Sequence, residues 1–328
     1  MSLLVLLLVV LALIDIRLGS IRITFTEMAR HLTGSGSLSD QQLIILRKFR
    51  IPRLATALMA GAALPVCGLQ MQTLFRNPLA GPYVLGISSG ASFGAALVVL
   101  GAGATGLVAT WSLAIAAWVG AGSVMLLLLF VSFRIKDVMT ILILGIMFSS
   151  GLAAIISIMQ FFSQAAALKS FVIWSMGSLG NVTGLQLQIM AWAILPLLLF
   201  TFAYSKVLNG LMLGEEYAIT MGIRIQRTRI IIFAVTSILA GTITAFCGPI
   251  GFIGIAVPHM ARYFFNKSDH RILLPATMLT GMVVMVFSDI VSQLPGTDRL
   301  LPINAVTSLI GIPVVVWLVI INRKAQSL

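Results

Sequence analysis

Charge is what this chain has least of. Only 9% of its 328 residues are Asp, Glu, Lys or Arg, and only nine are acidic, against about a quarter charged in soluble domains. That excludes a soluble globular protein, and no stretch is polar enough to form a separate soluble domain. Cysteine is nearly absent. Cys67 and Cys247 both sit in apolar runs, which reads as buried free thiols rather than as a disulfide or metal framework. The three histidines (His31, His259, His270) are too scattered to form a metal constellation. There is no GxxxxGK[ST] phosphate loop, so the chain does not hydrolyse ATP by that route. No Ser-His-Asp or paired-carboxylate set marks a membrane-bound enzyme.

What the chain does have is apolar length. Residues 54–75, 77–133, 138–168, 170–205, 230–261 and 300–322 carry no charge. A helix needs roughly 20 apolar residues to cross the hydrocarbon core, so the longer stretches hold two crossings, or a crossing and a re-entrant piece. Gly101–Gly106 divides the second stretch and Gly248-Pro249-Ile250-Gly251 the fifth. The expectation is an all-α integral membrane protein with about ten spans. They lie near 2–16, 54–74, 84–100, 107–131, 139–163, 186–206, 230–247, 250–265, 272–293 and 303–321. The first is short, and without a basic leader region or cleavage site it reads as a span rather than a signal peptide. Residues 1–328 form a single transmembrane domain containing a cytoplasmic loop at 207–229. Asn322-Arg323-Lys324 after the last span places both termini in the cytoplasm.

Three features stand out against the apolar background. Asn77, Pro78 and Pro82 lie between two apolar runs, and each proline lacks an N–H and biases the preceding residue away from the helix. Broken backbone at membrane depth requires protein or a water-filled cavity to satisfy it, so this turn is a candidate pathway lining. Next, Arg47, Lys48, Arg50 and Arg53 crowd the outer face, where the bias of charge should be weakest. Snorkelling at the interface accounts for one or two of them; docking of an acidic protein accounts for all four. Finally, Gly214-Glu215-Glu216 reads as a helix start with acids on the positive dipole end, ending at Gly222. Its apolar side (Tyr217, Ala218, Met221) packs either on a soluble partner or on the bilayer surface.

The motifs then fall into a familiar order. They are Arg50-Ile51-Pro52-Arg53, Gly61–Leu64, Gly68–Gln72, Arg76–Ala80, Leu85–Ala91, Trp174–Ser178, Gly214-Glu215 with Met221-Gly222, Gly248–Gly254 with Val257–Arg262, and Leu301–Asn304 with Thr307 and Gly311. In this order and spacing the chain resembles the FecCD family, the permease subunits of type II ABC importers for iron-siderophores, haem and vitamin B12. The resemblance runs from about Arg50 to Lys324. It implies a homodimer of ten-helix subunits around a central channel, two cytoplasmic ATPase subunits that bind ATP and Mg, and a periplasmic or lipid-anchored substrate-binding protein. All of this sits in the lipid of a bacterial inner membrane. It implies no cofactor in this chain, no enzyme activity of its own and no nucleic-acid partner. By the same resemblance Asn77 and Leu79 form a cytoplasmic gate, with Val138 and Met139 near a second. Gly214, Glu215, Glu216, Ala218, Met221 and Gly222 belong to the helix that couples to the ATPase. Arg50 and Arg53, with Arg299 less firmly aligned, match arginines that dock the binding protein. Asn304 departs from the family pattern, in which glycine is common.

Further readings stay open. Gln160, Phe162 and Trp174 line the upper pathway or belong to an interfacial aromatic belt. His259 is a packed histidine or a haem ligand, and packing is favoured because a transit pathway must release its cargo. Asp289 is a structural hydrogen-bonding group or, in an ion-coupled secondary transporter, a relay. The Gly/Pro breaks at 80–83 and 247–250 face opposite sides, as in an inverted repeat. The expected cargo is a ferric siderophore, with haem or cobalamin as the alternatives.

Overall fold

The computed structural model describes residues 1–19, 21, 24, 27, 39–101, 107–135, 137–293 and 300–326, leaving aside the side chains at 84, 107–110, 138 and 318–326. Helices in chain order are α1 (Ser2–Arg17), α2 (Asp40–Phe75), α3 (Ile87–Gly101), α4 (Leu107–Arg134), α5 (Val138–Phe162), α6 (Ala165–Ser175) and α7 (Gly184–Ala203). They continue as α8 (Ser205–Met212), α9 (Glu215–Thr220), α10 (Ile225–Cys247), α11 (Ile253–Phe265), α12 (His270–Ser292) and α13 (Ile303–Gln326). No strand occurs among the described residues. The ten expected spans coincide with α1–α5, α7 and α10–α13. Three helices, α6, α8 and α9, are not spans, and only α9 was expected. Helices α6 and α8 escaped because Lys169 and Lys206, which end the charge-free runs, lie inside them rather than between them and the neighbouring spans.

The sequence starts its helices with side chains that satisfy free N–H groups. Ser39 accepts from Gln42 N at 3.3 Å while Gln42 accepts from Ser39 N, and Thr183 and Gln186 repeat that box at α7. Asp137 caps α5 and Asp269 caps α12.

Helix α2 is the axis of the fold. It packs against α7, α10, α11 and α12, and 83% of its apolar window is buried, whereas only 17% of that of α5 is. Lipid tails are as apolar as leucine, so close backbone approach and buried polar contacts have to hold the bundle together. Both are present. A Cβ added to Gly61 would stand 2.6 Å from the Gly281 carbonyl oxygen of α12, and one on Gly68 only 1.6 Å from the Gly254 oxygen of α11. Just past the second crossing Gln70 donates to the Thr201 hydroxyl of α7 at 2.9 Å and accepts from Thr236 of α10 at 3.1 Å. Cys67 and Cys247 are free and buried.

The two broken segments, expected at opposite faces, meet. From Arg76 the chain climbs without regular helix to a 3-10 turn at Pro82–Leu85 before α3 begins. There the Tyr83 hydroxyl accepts the Ile250 N–H at 3.3 Å, and Pro82 lies against Gly254. Helices α3 and α11 therefore both begin at this junction. At 1.5 Å per residue each spans only about 20 Å, short of the roughly 30 Å hydrocarbon core.

Because the α2–α11 crossing leaves no room for a methyl group, Gly68→Ala destabilises the folded permease by about 3 kcal/mol or more. Gly122→Ala, where a Cβ meets nothing within 4 Å, stays near wild type. Thermal unfolding of the detergent-solubilised protein distinguishes the two.

Candidate gate and coupling site

At the C-terminal end of α2, Arg76 adopts a left-handed conformation (φ 46°) and ends the helix. Asn77 then folds the turn on itself: its side-chain oxygen accepts the Leu79 N–H at 2.9 Å and its carbonyl accepts the Ala80 N–H at 3.1 Å. This is why Asn suits the position before Pro78, since an Asx turn supplies an acceptor that the broken helix lacks. Ala80 is buried, while Leu79 is half exposed, projecting away from the fold. The Pro78 carbonyl accepts a hydrogen bond from His259 Nε2 of α11 at 2.7 Å. A carbonyl can only accept, so that imidazole nitrogen carries a proton, and the packed reading of His259 is the one the geometry shows.

Helix α9 lies between two glycines with positive φ, Gly214 (114°) and Gly222 (80°), which is what lets so short a helix turn in and out of the loop. Ala218 is buried against the fold. Tyr217, Ile219 and Met221 are each about 60% exposed, a contiguous apolar surface beyond the membrane helices. Glu215 accepts from Arg229 Nη2 of α10 at 2.5 Å, and Arg229 is buried.

This loop and one gate candidate, Met139, share a cavity of about 530 Å³, lined among others by Arg76, Asp137, Gly214, Glu215, Glu216, Tyr217 and Arg229. Met139 is half exposed there; the side chain of Val138 lies outside the described residues. Asp137 accepts from Met139 N at 3.3 Å, Thr140 N at 2.9 Å and the Thr140 hydroxyl at 2.5 Å. The Thr140 bonds, assisted by the nearby Arg229 charge, hold the Asp137 carboxyl below its ordinary range. Arg229 is a residue that sequence reasoning missed. Beside Arg224 and Arg227 it looks like one more loop cation, and only the fold shows that it alone of the three points inward.

At the opposite end of α2 the expected docking cations behave differently from one another. Arg50 is buried and donates to the Ile16 carbonyl at 2.7 Å, the Arg17 carbonyl at 3.2 Å and the Ile21 carbonyl, closing the end of α1. Arg53 grips Asp289 with Nε and Nη2, both at 2.8 Å, and reaches Ser292. Gln293 bonds Asp15 of α1 at 2.7 Å and Asp289 at 3.3 Å. Their guanidinium groups are thus occupied inside the chain, because a cation that enters a membrane bundle is held by carbonyls and carboxylates. Arg47 and Lys48, one turn earlier, are exposed beside Phe49. Arg299 lies outside the described residues. Asp289, fully buried and bidentately paired, has the geometry of a structural ion pair rather than a relay.

The upper-pathway candidates do not converge. Phe162 is 80% exposed, Gln160 is half-buried at the end of α5, and Trp174 packs on Phe171 beside a cavity of about 90 Å³. Asn304, the departure from the family pattern, is a tie: its side chain accepts from Gly251 N at 2.9 Å and its N–H reaches the Met176 carbonyl at 3.2 Å.

The FecCD transport family model matches residues 6–321. Over 287 residues, 87% of this chain and 85% of the relative, the sequence is 36% identical to the vitamin B12 import system permease protein BtuC of Klebsiella pneumoniae. It is 32% identical to the hemin transport system permease protein HmuU of Yersinia pestis over 326 residues, 99% of this chain and 96% of the relative. A solved structure described as a metal-chelate type ABC transporter in an inward-facing conformation superposes with a TM-score of 0.86 at 29% identity, covering 96% of this chain and 97% of that one. PsaBC from Streptococcus pneumoniae in complex with Fab shares the fold at a TM-score of 0.56 and 16% identity, covering 89% of this chain and 95% of that one.

Removing one partner of the outer ion pair isolates a buried charge, so Asp289→Asn lowers stability by about 3–5 kcal/mol. The double variant Arg53→Met/Asp289→Asn recovers a large part of that loss, as read by chemical unfolding in detergent.

Proposed function

The chain belongs to the FecCD transport family, and on that premise we propose that this type II ABC importer permease carries a bulky metal chelate, first of all a ferric siderophore, into the bacterial cytoplasm. The relatives named for vitamin B12 and haemin, together with the metal-chelate transporter fold, support a large chelate as cargo. Haem and cobalamin are the alternatives the same experiment reads. The working unit is a homodimer with both termini in the cytoplasm, driven by two ATPase subunits that hold ATP and Mg, and loaded by a substrate-binding protein.

One observation carries the coupling: the cavity that places the exposed α9 surface next to the start of α5 and the end of α2. A partner seated on Tyr217, Ile219 and Met221 presses on a helix whose first residue, Glu215, is held to buried Arg229. Arg229 in turn stands near Asp137, the cap of the helix that bears Met139. Movement of α9 thus reaches the gate candidates through a short set of contacts. On the outer face, exposed Arg47 and Lys48 meet the acidic binding protein first, with Arg50 and Arg53 behind them. Asp289 is held by Arg53, which weighs against the ion-coupled alternative.

In proteoliposomes containing permease and ATPase partner, binding protein outside and ATP inside, uptake of one labelled chelate among a ferric siderophore, haemin and cyanocobalamin is ATP-dependent. Uptake driven by an ion gradient without the ATPase overturns the reading. Replacing Met221 and Tyr217 by Asp buries charge in the partner contact. Assembly with the ATPase and ATP-driven uptake fall more than about tenfold, while the permease itself unfolds at its wild-type temperature.

A further inference from the structure

Helix α11 is clipped to the gate segment at Pro78 and Pro82 and to the last turn of α2 at Gln72, and no motif in the sequence announces it. Three contacts follow one another down α11, at intervals of five and then three residues. At its start Gly254 abuts Pro82, with a Cβ there standing 2.9 Å from Pro82 Cδ. One turn on, His259 Nε2 donates to the Pro78 carbonyl at 2.7 Å. Near its end Arg262 Nη1 donates to Gln72 of α2 at 2.7 Å, while Gln72 donates to the Ile255 carbonyl of α11 at 3.3 Å.

The middle contact is the informative one. Residues 76–81 run outside any helix, so their carbonyls lack helical partners, and Pro78 supplies no N–H of its own. The Pro78 carbonyl precedes Leu79 directly, so whatever holds it fixes the direction of the exposed Leu79 side chain. Resting on the reading of Asn77 and Leu79 as a gate, we propose that His259 is a positioning residue. Its Nε2–H fastens the gate turn to α11, so that α11 and residues 76–86 move as one body during transport. His259 acts here through Leu79 and touches no cargo.

The test uses the complete permease–ATPase complex in proteoliposomes with Leu79→Cys as the reporter of gate closure, since Cys67 and Cys247 are buried. Bismaleimide cross-linking between the two copies is followed with and without ATP in backgrounds carrying His259, His259→Gln, His259→Asn or His259→Ala. Gln places an N–H close to the position of imidazole Nε2; Asn is too short. The nucleotide-dependent change in cross-linking and ATP-driven uptake are expected to fall about fivefold in the Ala and Asn variants, the net worth of one hydrogen bond, and to return in the Gln variant. Unchanged gating in His259→Ala overturns the proposal. Equal loss in all three variants also overturns it, because packing rather than the bond would then carry the effect. Amide exchange at Leu79 and Ala80 reads the clip separately: it is expected to quicken about fivefold in His259→Ala and to be restored in His259→Gln. If Leu79→Cys never cross-links in the His259 parent, the gate reading fails, while the exchange result still reports on the clip.

Discussion

Everything in this molecule depends on one constraint: a chain that interrupts its helices within a bilayer has to satisfy the freed backbone groups from inside the protein. Two segments break, at 76–86 and 248–252, and the fold places them against each other. The Tyr83 hydroxyl takes up the Ile250 N–H, Asn304 takes up the Gly251 N–H, and His259 supplies a donor to the Pro78 carbonyl. Each of these groups would otherwise cost on the order of a few kcal/mol in hydrocarbon. The short helices α3 and α11 that start from this junction are possible only because side chains of the broken segment, of α11 and of α13 close it.

The packing serves the same end. α2 approaches α11 and α12 through Gly68 and Gly61 closely enough that no Cβ fits, and that approach brings the polar groups of α11 within reach of α2 and of the turn that follows it. A larger residue at either glycine would separate the helices and leave Gln72, Arg262 and His259 reaching across a gap. Close packing and polar satisfaction are therefore a single requirement here. The hydrophobic effect that stabilises soluble cores offers little between helices already surrounded by lipid.

The spans were legible because membrane solvation acts on composition: charge-free runs and their Gly/Pro dividers located ten apolar helices, although the second, expected from residue 54, begins at Asp40. Helix α9 was legible for local reasons, since Gly214, Glu215 and Gly222 each have a conformational or dipolar role at their own position. What escaped were properties fixed by distant partners. Arg50 and Arg53 carry the same charge as Arg47 and Lys48, and nothing local tells that the first two turn inward to α1 carbonyls and to Asp289, some 240 residues away in the chain. Arg229 is hidden among loop cations in the same way. Asn304 was visible as a departure, but its bonds to Gly251 and Met176 follow only from tertiary placement. The family resemblance named the gate and coupling positions; the cavity that Met139 shares with the coupling helix became visible only in three dimensions.

The distribution of burial gives the parts different mechanical characters. Helix α2, with α10 and α12 around it, is mostly enclosed, and its polar groups are bonded on several sides. Helix α5 is enclosed over only 17% of its apolar window and touches chiefly α3 and the turn before it. Its polar anchor is at the N-terminal end, where Asp137 binds Thr140 and faces the Arg229 charge. A segment with few buried contacts opens at lower free energy than one with many. The resistance to displacement is thus lowest in the helix whose anchored end lies at the cavity shared with α9. A push delivered at the coupling surface meets the compliant element first, while the glycine-packed centre keeps the broken backbone sealed.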